Sequence, residues 1–389
     1  MRRTTTGLAA LALTAALVGC GDGGDEVKVD VDPTGSGSPT TSSSPTETEG
    51  ATGSTDPSAG SPSDDASSAP QVVETIATGL VAPWGLAFLP DGSAVVTERD
   101  TAKVLQIAPD KVVTEIGVIG DAAPQGEGGL LGVAVSPEFD QDRTLYFYVS
   151  SDNDNRIVTA TLDKGGLSDT TPILTGIPLG SIHDGGRLEF GPDGFLYAST
   201  GETGNPQLAQ DRSTLAGKIL RLTPKGKPAP GNPFGDEIWS WGHRNVQGLA
   251  FTDDGRLWAS EFGQNTFDEL NRIDAGANYG WPEVEGEGGT DAGYVDPQAV
   301  WGTDVASPSG LAFTEGALYM AALRGNRLWK IPVDSDGDAG QPEAYFVGEY
   351  GRMRTVVVAP DGSLWLTTSN QDGRGSPAPE DDRILRVTP

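Results

Sequence analysis

The chain has 389 residues, with 26 basic and 55 acidic side chains and a net charge of −29. Such an excess of carboxylates repels phosphate and anionic lipid headgroups. It argues against nucleic-acid binding and against attachment to an anionic membrane surface. The 54 glycines and 28 prolines favour many short strands joined by turns over a helical protein.

The N-terminus is typical of an exported lipoprotein. Arg2 and Arg3 precede an apolar run over 8–18 that is too short to span a bilayer comfortably, and the run ends in LVGC. This ending resembles a bacterial lipobox, in which the cysteine is acylated. We therefore predict a signal peptide over 1–19 and lipidation of Cys20, which would hold the protein on the outer face of the cytoplasmic membrane. An incidental cysteine after an apolar run is the alternative.

The next segment, 20–70, is composed mainly of Ser, Thr, Gly, Pro and Asp. Such a composition buries too little apolar surface to fold, so we predict a flexible tether. The remainder, 71–389, is predicted to be the folded domain. Because Cys20 is the only cysteine of the chain, this domain has neither a disulfide nor a reactive thiol.

The domain repeats one pattern six times: an apolar run, a turn and a second apolar run. Four of the turns read PDG or DDG, a strong hairpin signal, and the residues after the turns alternate as in half-buried strands. The copies recur about every 45 to 60 residues, the spacing of propeller blades with four strands each. They occupy residues 82–99, 129–150, 185–202, 245–263, 307–325 and 353–370.

We therefore predict an all-β fold, a six-bladed β-propeller with four-stranded antiparallel blades. An array of β-sandwiches is the alternative, but it does not explain the near-equal spacing. In a propeller the loops of every blade converge on one mouth of the central channel, so residues distant in sequence can form one site there.

Two segments that precede predicted hairpins contain candidate catalytic or ligand-binding residues. His183 is one of two histidines, and a neutral imidazole accepts a proton near neutral pH. The adjacent Gly185 and Gly186 remove side-chain bulk, which suggests room for a sizeable ligand; a packed or surface histidine is the alternative. In GHRNVQG (242–248), Arg244 and Asn245 can bind a carbonyl or carboxylate, although the segment could equally be a surface turn.

Two further segments suggest ion binding. The stretch 261–286 places acidic and amide side chains among glycines, which suits calcium, although a solvated acidic loop is a serious alternative in so acidic a chain. Arg324, Arg352 and Arg354 lie in the last two copies. Alternate residues of a strand share a face, so Arg352 and Arg354 are predicted to point the same way toward an anionic ligand, with surface salt bridges as the alternative.

Taken together, these motifs resemble the glucose/sorbosone dehydrogenases that use pyrroloquinoline quinone (PQQ), and most closely the bacterial aldose sugar dehydrogenase branch. The resemblance extends in order from about residue 78 to 389. It is carried by HDGGRLEFGPDGFLYASTGE, GHRNVQGLAF, DELN, GANYGWP, SPSGLAF, LRGNRLW and RMR.

The resemblance implies roles for the matching residues. His183 matches the general base that takes the proton of the sugar C1 hydroxyl while hydride passes to C5 of the quinone, and Arg244 matches a catalytic residue at the quinone oxygens. The residues that match PQQ contacts are Glu127, Arg244, Asn245, Arg324, Arg352 and Arg354. The carbonyls of Gly263 and Gln264 match ligands of a calcium that bridges to PQQ, and Glu269 with the Tyr279 carbonyl resembles part of a second, structural calcium site.

The sequence also departs from the family pattern. Soluble glucose dehydrogenases have Asp before the base, where this chain has Ile182, so we expect Glu127 or the backbone to orient His183. Asp184 follows the base where relatives have other residues, Gln264 replaces a common Pro, and Thr355 stands where Asp is frequent. Glucose is therefore not assigned as the substrate.

The resemblance predicts a PQQ- and calcium-dependent enzyme that oxidises aldoses to lactones outside the cytoplasm. Its expected partners are the aldose and an electron acceptor, either a quinone or a soluble redox carrier. The membrane is contacted only through the lipid, and no nucleic acid is bound. A non-catalytic propeller that binds a ligand or protein and a calcium-dependent lactonase-like hydrolase remain alternatives.

Overall fold

A computed structural model describes residues 69–389. The predicted signal peptide, Cys20 and nearly all of the predicted tether lie outside these residues. Between residues 69 and 389, no helix has the length and apolarity needed to cross a membrane. The described residues form six antiparallel blades, five of four strands and one of five, so the predicted β-propeller is confirmed.

The strands follow one another blade by blade. Strand β1 (Gln71–Ala77) precedes the first blade, β2 (Pro83–Phe88), β3 (Ala94–Glu98), β4 (Lys103–Ile107) and β5 (Val113–Val118). The second blade contains β6 (Leu130–Val135), β7 (Thr144–Ser150), β8 (Asn155–Asp163), the two-residue β9 (Gly166–Leu167) and β10 (Thr171–Ile177). The third contains β11 (Leu188–Phe190), β12 (Leu196–Ser199), β13 (Lys218–Leu222) and β14 (Ile238–Trp241).

The remaining blades repeat this order. The fourth contains β15 (Val246–Phe251), β16 (Leu257–Glu261), β17 (Phe267–Ile273) and β18 (Ala299–Gly302), and the fifth β19 (Pro308–Thr314), β20 (Ala317–Ala322), β21 (Arg327–Pro332) and β22 (Glu343–Tyr345). The sixth contains β23 (Met353–Val358), β24 (Leu364–Thr368) and β25 (Ile384–Thr388). The helical elements within residues 69–389 are α1 (Phe139–Asp142) and two short 3-10 helices, Pro206–Ala209 and Thr290–Ala292.

Each repeated pattern of the sequence forms the first hairpin of a blade. In the first hairpin, Leu89 donates its N–H to the Ser93 carbonyl, and the Asp91 side chain accepts the Ser93 N–H. Gly92 occupies the left-handed region with φ +82°, a conformation that favours glycine. The PDG and DDG turns are therefore the local signal that sets the hairpins.

The ring closes through strands from the two ends of the domain. Strand β1 pairs antiparallel with β25, from Gln71 opposite Thr388 to Ala77 opposite Ile384, and so completes the sixth blade. The pairing covers the outer edge of β25 and makes β1 the outermost strand of the blade. It also joins the first described element to the last.

The core lies between blades, where apolar faces of neighbouring sheets pack together. Trp84 and Trp258, each about 1% exposed or less, are among the largest fully buried side chains. The first strand of each blade contacts the first strands of its neighbours, so these six strands surround the central channel. All six run in the same direction, which places the residues at their beginnings around one mouth.

Candidate active site

A cavity of about 440 Å³ lies where the first strands of the blades begin. Its walls bring together residues from all six blades. The predicted site residues that line it are Glu127, His183, Arg244, Asn245, Gly263, Gln264, Arg324, Arg352 and Arg354. Glu269 and Tyr279 lie outside its lining.

His183 is fixed at the cavity by contacts to its backbone and to one ring nitrogen. Its N–H donates to Glu127 Oε2 at 3.0 Å, and its carbonyl accepts the Thr203 N–H. These bonds hold a backbone φ of +60°, which is uncommon for a residue with a side chain. The ring Nδ1 contacts the buried carboxylate of Glu202. A carboxylate at Nδ1 favours the tautomer in which Nε2 is unprotonated and free to accept a proton.

Glu202 holds the imidazole ring and is not among the site residues predicted from the sequence. We expected Glu127 or the backbone to orient the base, but Glu127 holds only the His183 N–H, and Glu202 holds the ring. Glu202 lies just beyond β12, inside the third repeat. In the sequence it is one of three acidic residues of that repeat, with Glu189 and Asp193, and one carboxylate among 55 gave no reason to select it.

Gly185 and Gly186 do not provide room for a ligand, contrary to our expectation. A Cβ on Gly185 would lie 2.6 Å from backbone atoms of Thr200, and one on Gly186 would lie 2.7 Å from the Leu131 side chain. Both glycines have positive φ, +66° and +106°. Their role is to let the chain after His183 pack tightly against neighbouring strands, which fixes the position of the histidine.

Glu127 links the base to a loop of the last blade. Its Oε1 accepts a hydrogen bond from Arg374 at 2.8 Å, while its Oε2 accepts the His183 N–H. Burial alone would raise the pKa of Glu127, but these two donors outweigh it and the pKa is lowered. Glu127 is therefore held as a carboxylate. Arg374, which the sequence analysis did not select, also lines the cavity.

The cavity contains more positive than negative charge. Arg352 and Arg354 both reach Asp372, at 2.9 and 3.4 Å, so the prediction that they point the same way is confirmed. Burial raises the pKa of Asp372, but the two cations outweigh burial and the pKa is lowered. Burial lowers the pKa of Arg354 to about 10. The arginines of the lining are Arg99, Arg244, Arg324, Arg352, Arg354 and Arg374. Such a set favours an anionic ligand.

Arg244 and Asn245 lie at the start of the fourth blade. Arg244 donates from Nη1 to the Phe262 carbonyl at 3.3 Å, and its buried Nε has no partner among the described residues. Asn245 Oδ1 accepts the Gly185 N–H at 3.0 Å. A buried guanidinium N–H without a partner is costly, so Arg244 is suited to a ligand oxygen in the cavity.

The stretch 261–286 is not one acidic loop, because residues Phe267–Ile273 within it form β17. Gly263 and Gln264 precede this strand and line the cavity. Asp268 accepts the Gly263 N–H at 2.8 Å, and Glu285 accepts the N–H groups of residues 264–267. These carboxylates fix the loop through its N–H groups, which leaves the carbonyls of Gly263 and Gln264 as candidate cation ligands.

Glu269 and Tyr279 take part in a separate buried network. The Glu269 carboxylate accepts the Gly286 N–H at 2.7 Å and a hydrogen bond from Asn271 at 3.0 Å, and burial raises its pKa. The Tyr279 hydroxyl bonds to the backbone of Arg272 and Asp274. Across residues 69–389, no group of three or more His, Cys, Asp or Glu side chains is arranged to hold a metal ion. The second calcium site therefore stays a prediction.

The other histidine is a core residue. His243 is fully buried, its Nδ1 contacts Glu261 Oε2 at 2.9 Å and its Nε2 contacts Ser240 Oγ at 2.8 Å. Its ring stacks on Tyr279 at 4.7 Å between centroids. With both nitrogens occupied and no access to the cavity, His243 supports the position of the adjacent Arg244.

The sequence matches the Glucose / Sorbosone dehydrogenase family over residues 80–385. The chain belongs to this family. The family resemblance of the motifs is thereby confirmed, and the matched residues include every lining residue of the cavity.

Individual relatives agree with this assignment. The aldose sugar dehydrogenase YliI of Escherichia coli is 30% identical, over 82% of this chain and 92% of its own length. The PQQ-bound aldose sugar dehydrogenase of Streptomyces coelicolor is 53% identical with a TM-score of 0.81, covering 82% of this chain and 98% of that one. Quinoprotein glucose dehydrogenase B of Acinetobacter calcoaceticus is 34% identical, over 57% of this chain and 54% of its length.

Proposed function

We propose that this protein oxidises aldose sugars at C1 to lactones, with PQQ and calcium as cofactors. The observation that carries the proposal is the meeting of His183, with its free Nε2, and an arginine-rich wall in one cavity. The similarity to a PQQ-bound aldose sugar dehydrogenase, at 53% identity, supports the same cofactor and substrate class here.

The donor set of the cavity fits PQQ, which is a flat tricarboxylate. Arg352 and Arg354 share only one carboxylate, and Arg324 has no partner side chain within residues 69–389. The unpartnered Nε of Arg244 suits an oxygen of the quinone. When bound, PQQ would supply the acceptor for the hydride that leaves the sugar C1.

His183 would then perform the proton transfer. Nε2 accepts the proton of the C1 hydroxyl, and the Glu202 carboxylate stabilises the imidazolium that forms. The bond from the His183 N–H to Glu127 and the tightly packed glycines fix the backbone at His183, and Glu202 keeps the ring from turning away. Positioning of this kind is what makes a side chain an effective base.

The calcium would lie against the carbonyls of Gly263 and Gln264. Calcium prefers hard oxygen ligands, and backbone carbonyls are among them. The positive charge of the ion would favour negative charge on a neighbouring oxygen of the cofactor. Asp268, which bonds to the N–H groups of Gly263 and Ser307, would keep these carbonyls in place.

The proposed cellular setting rests on the sequence. The predicted signal peptide and the predicted lipidation of Cys20 would place the enzyme on the outer face of the cytoplasmic membrane. There, a membrane quinone or a soluble carrier would accept the electrons. The alternative of a non-catalytic binding propeller predicts loss of the base or the arginines, but both are present and face the same cavity.

Turnover by the purified protein tests the proposal. The cofactor-free protein is supplied with calcium and PQQ, and reduction of an artificial dye is followed across a panel of aldoses. We expect turnover only when PQQ, calcium and sugar are all present. If PQQ does not bind in a titration, the protein shares only the fold with the family, and the alternative of a non-catalytic binding propeller is favoured.

A further inference from the structure

A buried carboxylate lies directly behind the candidate base. Asp184 follows His183 in the chain, is 2% exposed and is not part of the cavity lining. Its Oδ1 accepts hydrogen bonds from Asn155 Nδ2 at 2.9 Å and from the Gly180 N–H at 3.1 Å. Its carbonyl accepts a hydrogen bond from the Tyr148 hydroxyl at 2.9 Å. These bonds tie the loop that contains His183 to strands β7 and β8 of the second blade.

The second oxygen of this carboxylate has no hydrogen-bond donor among residues 69–389. Asp184 Oδ2 is buried, and a Cβ on Gly128 would lie 3.4 Å from it. Gly128 has no side chain that could donate, and its N–H donates to the Gln125 carbonyl. A buried carboxylate oxygen without a donor is costly. In its ionised form Asp184 therefore depends on charge interactions at longer range.

Protonated His183 supplies such a charge. Burial raises the pKa of Asp184 to about 6, although its two hydrogen bonds and the charge of a protonated His183 act in the opposite direction. An interaction between two sites is reciprocal. Because the imidazolium favours the ionised carboxylate, the ionised carboxylate favours the imidazolium to the same extent. Asp184 therefore strengthens His183 as a proton acceptor.

The other charges around the two residues do not replace this one. The titratable and charged groups on the surrounding elements are Glu127, Tyr148, Asp154, Glu202, Arg244 and Arg374. Tyr148 is neutral, because burial raises its pKa well above the ordinary value. Glu127 and Asp154 are each paired with an arginine. Apart from Glu202, which contacts the ring, Asp184 is the carboxylate of this described set without a cationic partner of its own.

We propose that Asp184 is a positioning residue for the base: it holds the loop that contains His183 and, as an unpaired carboxylate, stabilises the imidazolium formed in proton transfer. The inference rests on the proposed function, since it concerns the step in which His183 Nε2 accepts the proton of the sugar C1 hydroxyl. The proton stays on Nε2, and Asp184 neither exchanges a proton in that step nor contacts the sugar.

The ring signals of the histidines test the inference in the cofactor-free protein by NMR. The chain has two histidines, so isotope labelling of their rings gives two sets of signals, which His183→Ala assigns. We expect Asp184→Asn to lower the pH midpoint at which the His183 ring titrates by about one unit, a tenfold loss of proton affinity. Unchanged signals of the buried His243 show that the variant is folded.

A matched variant separates this effect from the general loss of one charge. Asp152→Asn removes a carboxylate from an exposed turn of the same blade and should leave the His183 midpoint unchanged. An unchanged midpoint in Asp184→Asn, or an equal fall in Asp152→Asn, would overturn the proposal.

The pH profile of the loaded enzyme provides the second readout. In Asp184→Asn the acidic limb of kcat/KM should move to lower pH, and kcat on the plateau should fall about threefold, because a weaker base accepts the proton less readily. A merely structural role would lower the rate by the same factor at every pH and would overturn the proposal. Absence of turnover in the wild type would contradict the proposed function instead, and the NMR midpoints alone would then decide the effect of Asp184 on His183.

Discussion

At the scale of single residues, the proposed chemistry depends on His183 and its position. Replacement of His183 by Ala removes the only imidazole at the cavity but none of the arginines that would hold PQQ. We expect kcat to fall by about a hundredfold or more, with PQQ affinity largely unchanged. Steady-state rates and a PQQ titration measure both. Loss of PQQ binding with an unchanged rate per bound cofactor would contradict the assignment of His183 as the base.

Glu202 is predicted to act through His183. Glu202→Gln keeps the size of the side chain but removes the charge that stabilises the imidazolium. Its amide can turn either an oxygen or an N–H group toward Nδ1, so it no longer fixes the tautomer. We expect kcat to fall by about a hundredfold, with little change in KM or in PQQ affinity. Glu202→Asp, which restores the charge, should recover part of the rate. A purely structural role would instead lower the melting temperature and leave the kcat of the folded protein intact.

Asp184 provides a pH-dependent test of the loop behind the base. Its Oδ1 accepts hydrogen bonds from Asn155 and Gly180, its Oδ2 is buried without a partner, and burial raises its pKa to about 6. Because the folded-state pKa lies above the unfolded value, the folded protein holds the proton more tightly. Between about pH 4 and 6 this group therefore costs stability as pH rises, by up to about 3 kcal/mol.

The expected result is a difference between two pH profiles. The Asp184→Asn variant cannot ionise at this position. Its free energy of unfolding should therefore increase relative to that of the wild type as pH rises through this range, and the difference should persist at pH 7. Urea unfolding at several pH values measures it. Parallel profiles would show that ionisation of Asp184 does not lower the free energy of unfolding.

Some residues of the candidate site could be identified from the sequence and others could not. His183 and the arginines could be selected because histidine is scarce and arginine is unexpected in so acidic a chain. Glu202, Arg374 and Asp372 could not, because their importance comes from contacts between separate loops that no local sequence pattern pairs. Gly185 and Gly186 were recognised as special for a reason that proved wrong, since the sequence does not reveal that Thr200 and Leu131 pack against them.

At the scale of elements, the hairpins were predictable and the closure of the ring was not. Each hairpin is encoded by a turn and two adjacent apolar runs, all within about 20 residues. The pairing of β1 with β25 joins residues more than 300 positions apart, such as Gln71 and Thr388. No local pattern specifies that partner, because β1 alone reads as one more short strand.

Removal of β1 should destabilise the whole ring. Without residues 71–77, strand β25 loses its outer neighbour, and the contacts of Ile76 in the core between the first and last blades are lost. We expect a protein that begins at Gly79 to unfold at a much lower temperature or to aggregate through the exposed strand edge. A protein that begins at Ala69 is the control. Equal melting temperatures would show that the blades hold together without this closure.

At the scale of the whole molecule, charge is distributed unevenly. The chain carries a net charge of −29, most of it within residues 71–389, whereas six arginines line the candidate active site. The carboxylates of the whole molecule and the arginines of the cavity produce opposite electric fields, and a neutral sugar is neither attracted nor repelled by either. PQQ, a tricarboxylate, is repelled by the molecule as a whole and attracted by the cavity, so the distance over which each field acts decides how fast it binds.

Ionic strength separates these two fields. The Debye length is about 30 Å at 0.01 M salt and about 10 Å at 0.1 M. Raising salt over this range screens the repulsion from distant carboxylates while much of the attraction inside the cavity remains. We therefore expect the association rate of PQQ to rise between 0.01 and 0.1 M salt, and to fall only at higher salt, when the arginines are screened as well. Stopped-flow measurement of PQQ binding tests this, with the KM of a neutral aldose as a control that should not change. A rate that falls steadily from the lowest salt would mean that the arginines control the approach of PQQ at every distance, and that the acidic surface has no influence on cofactor capture.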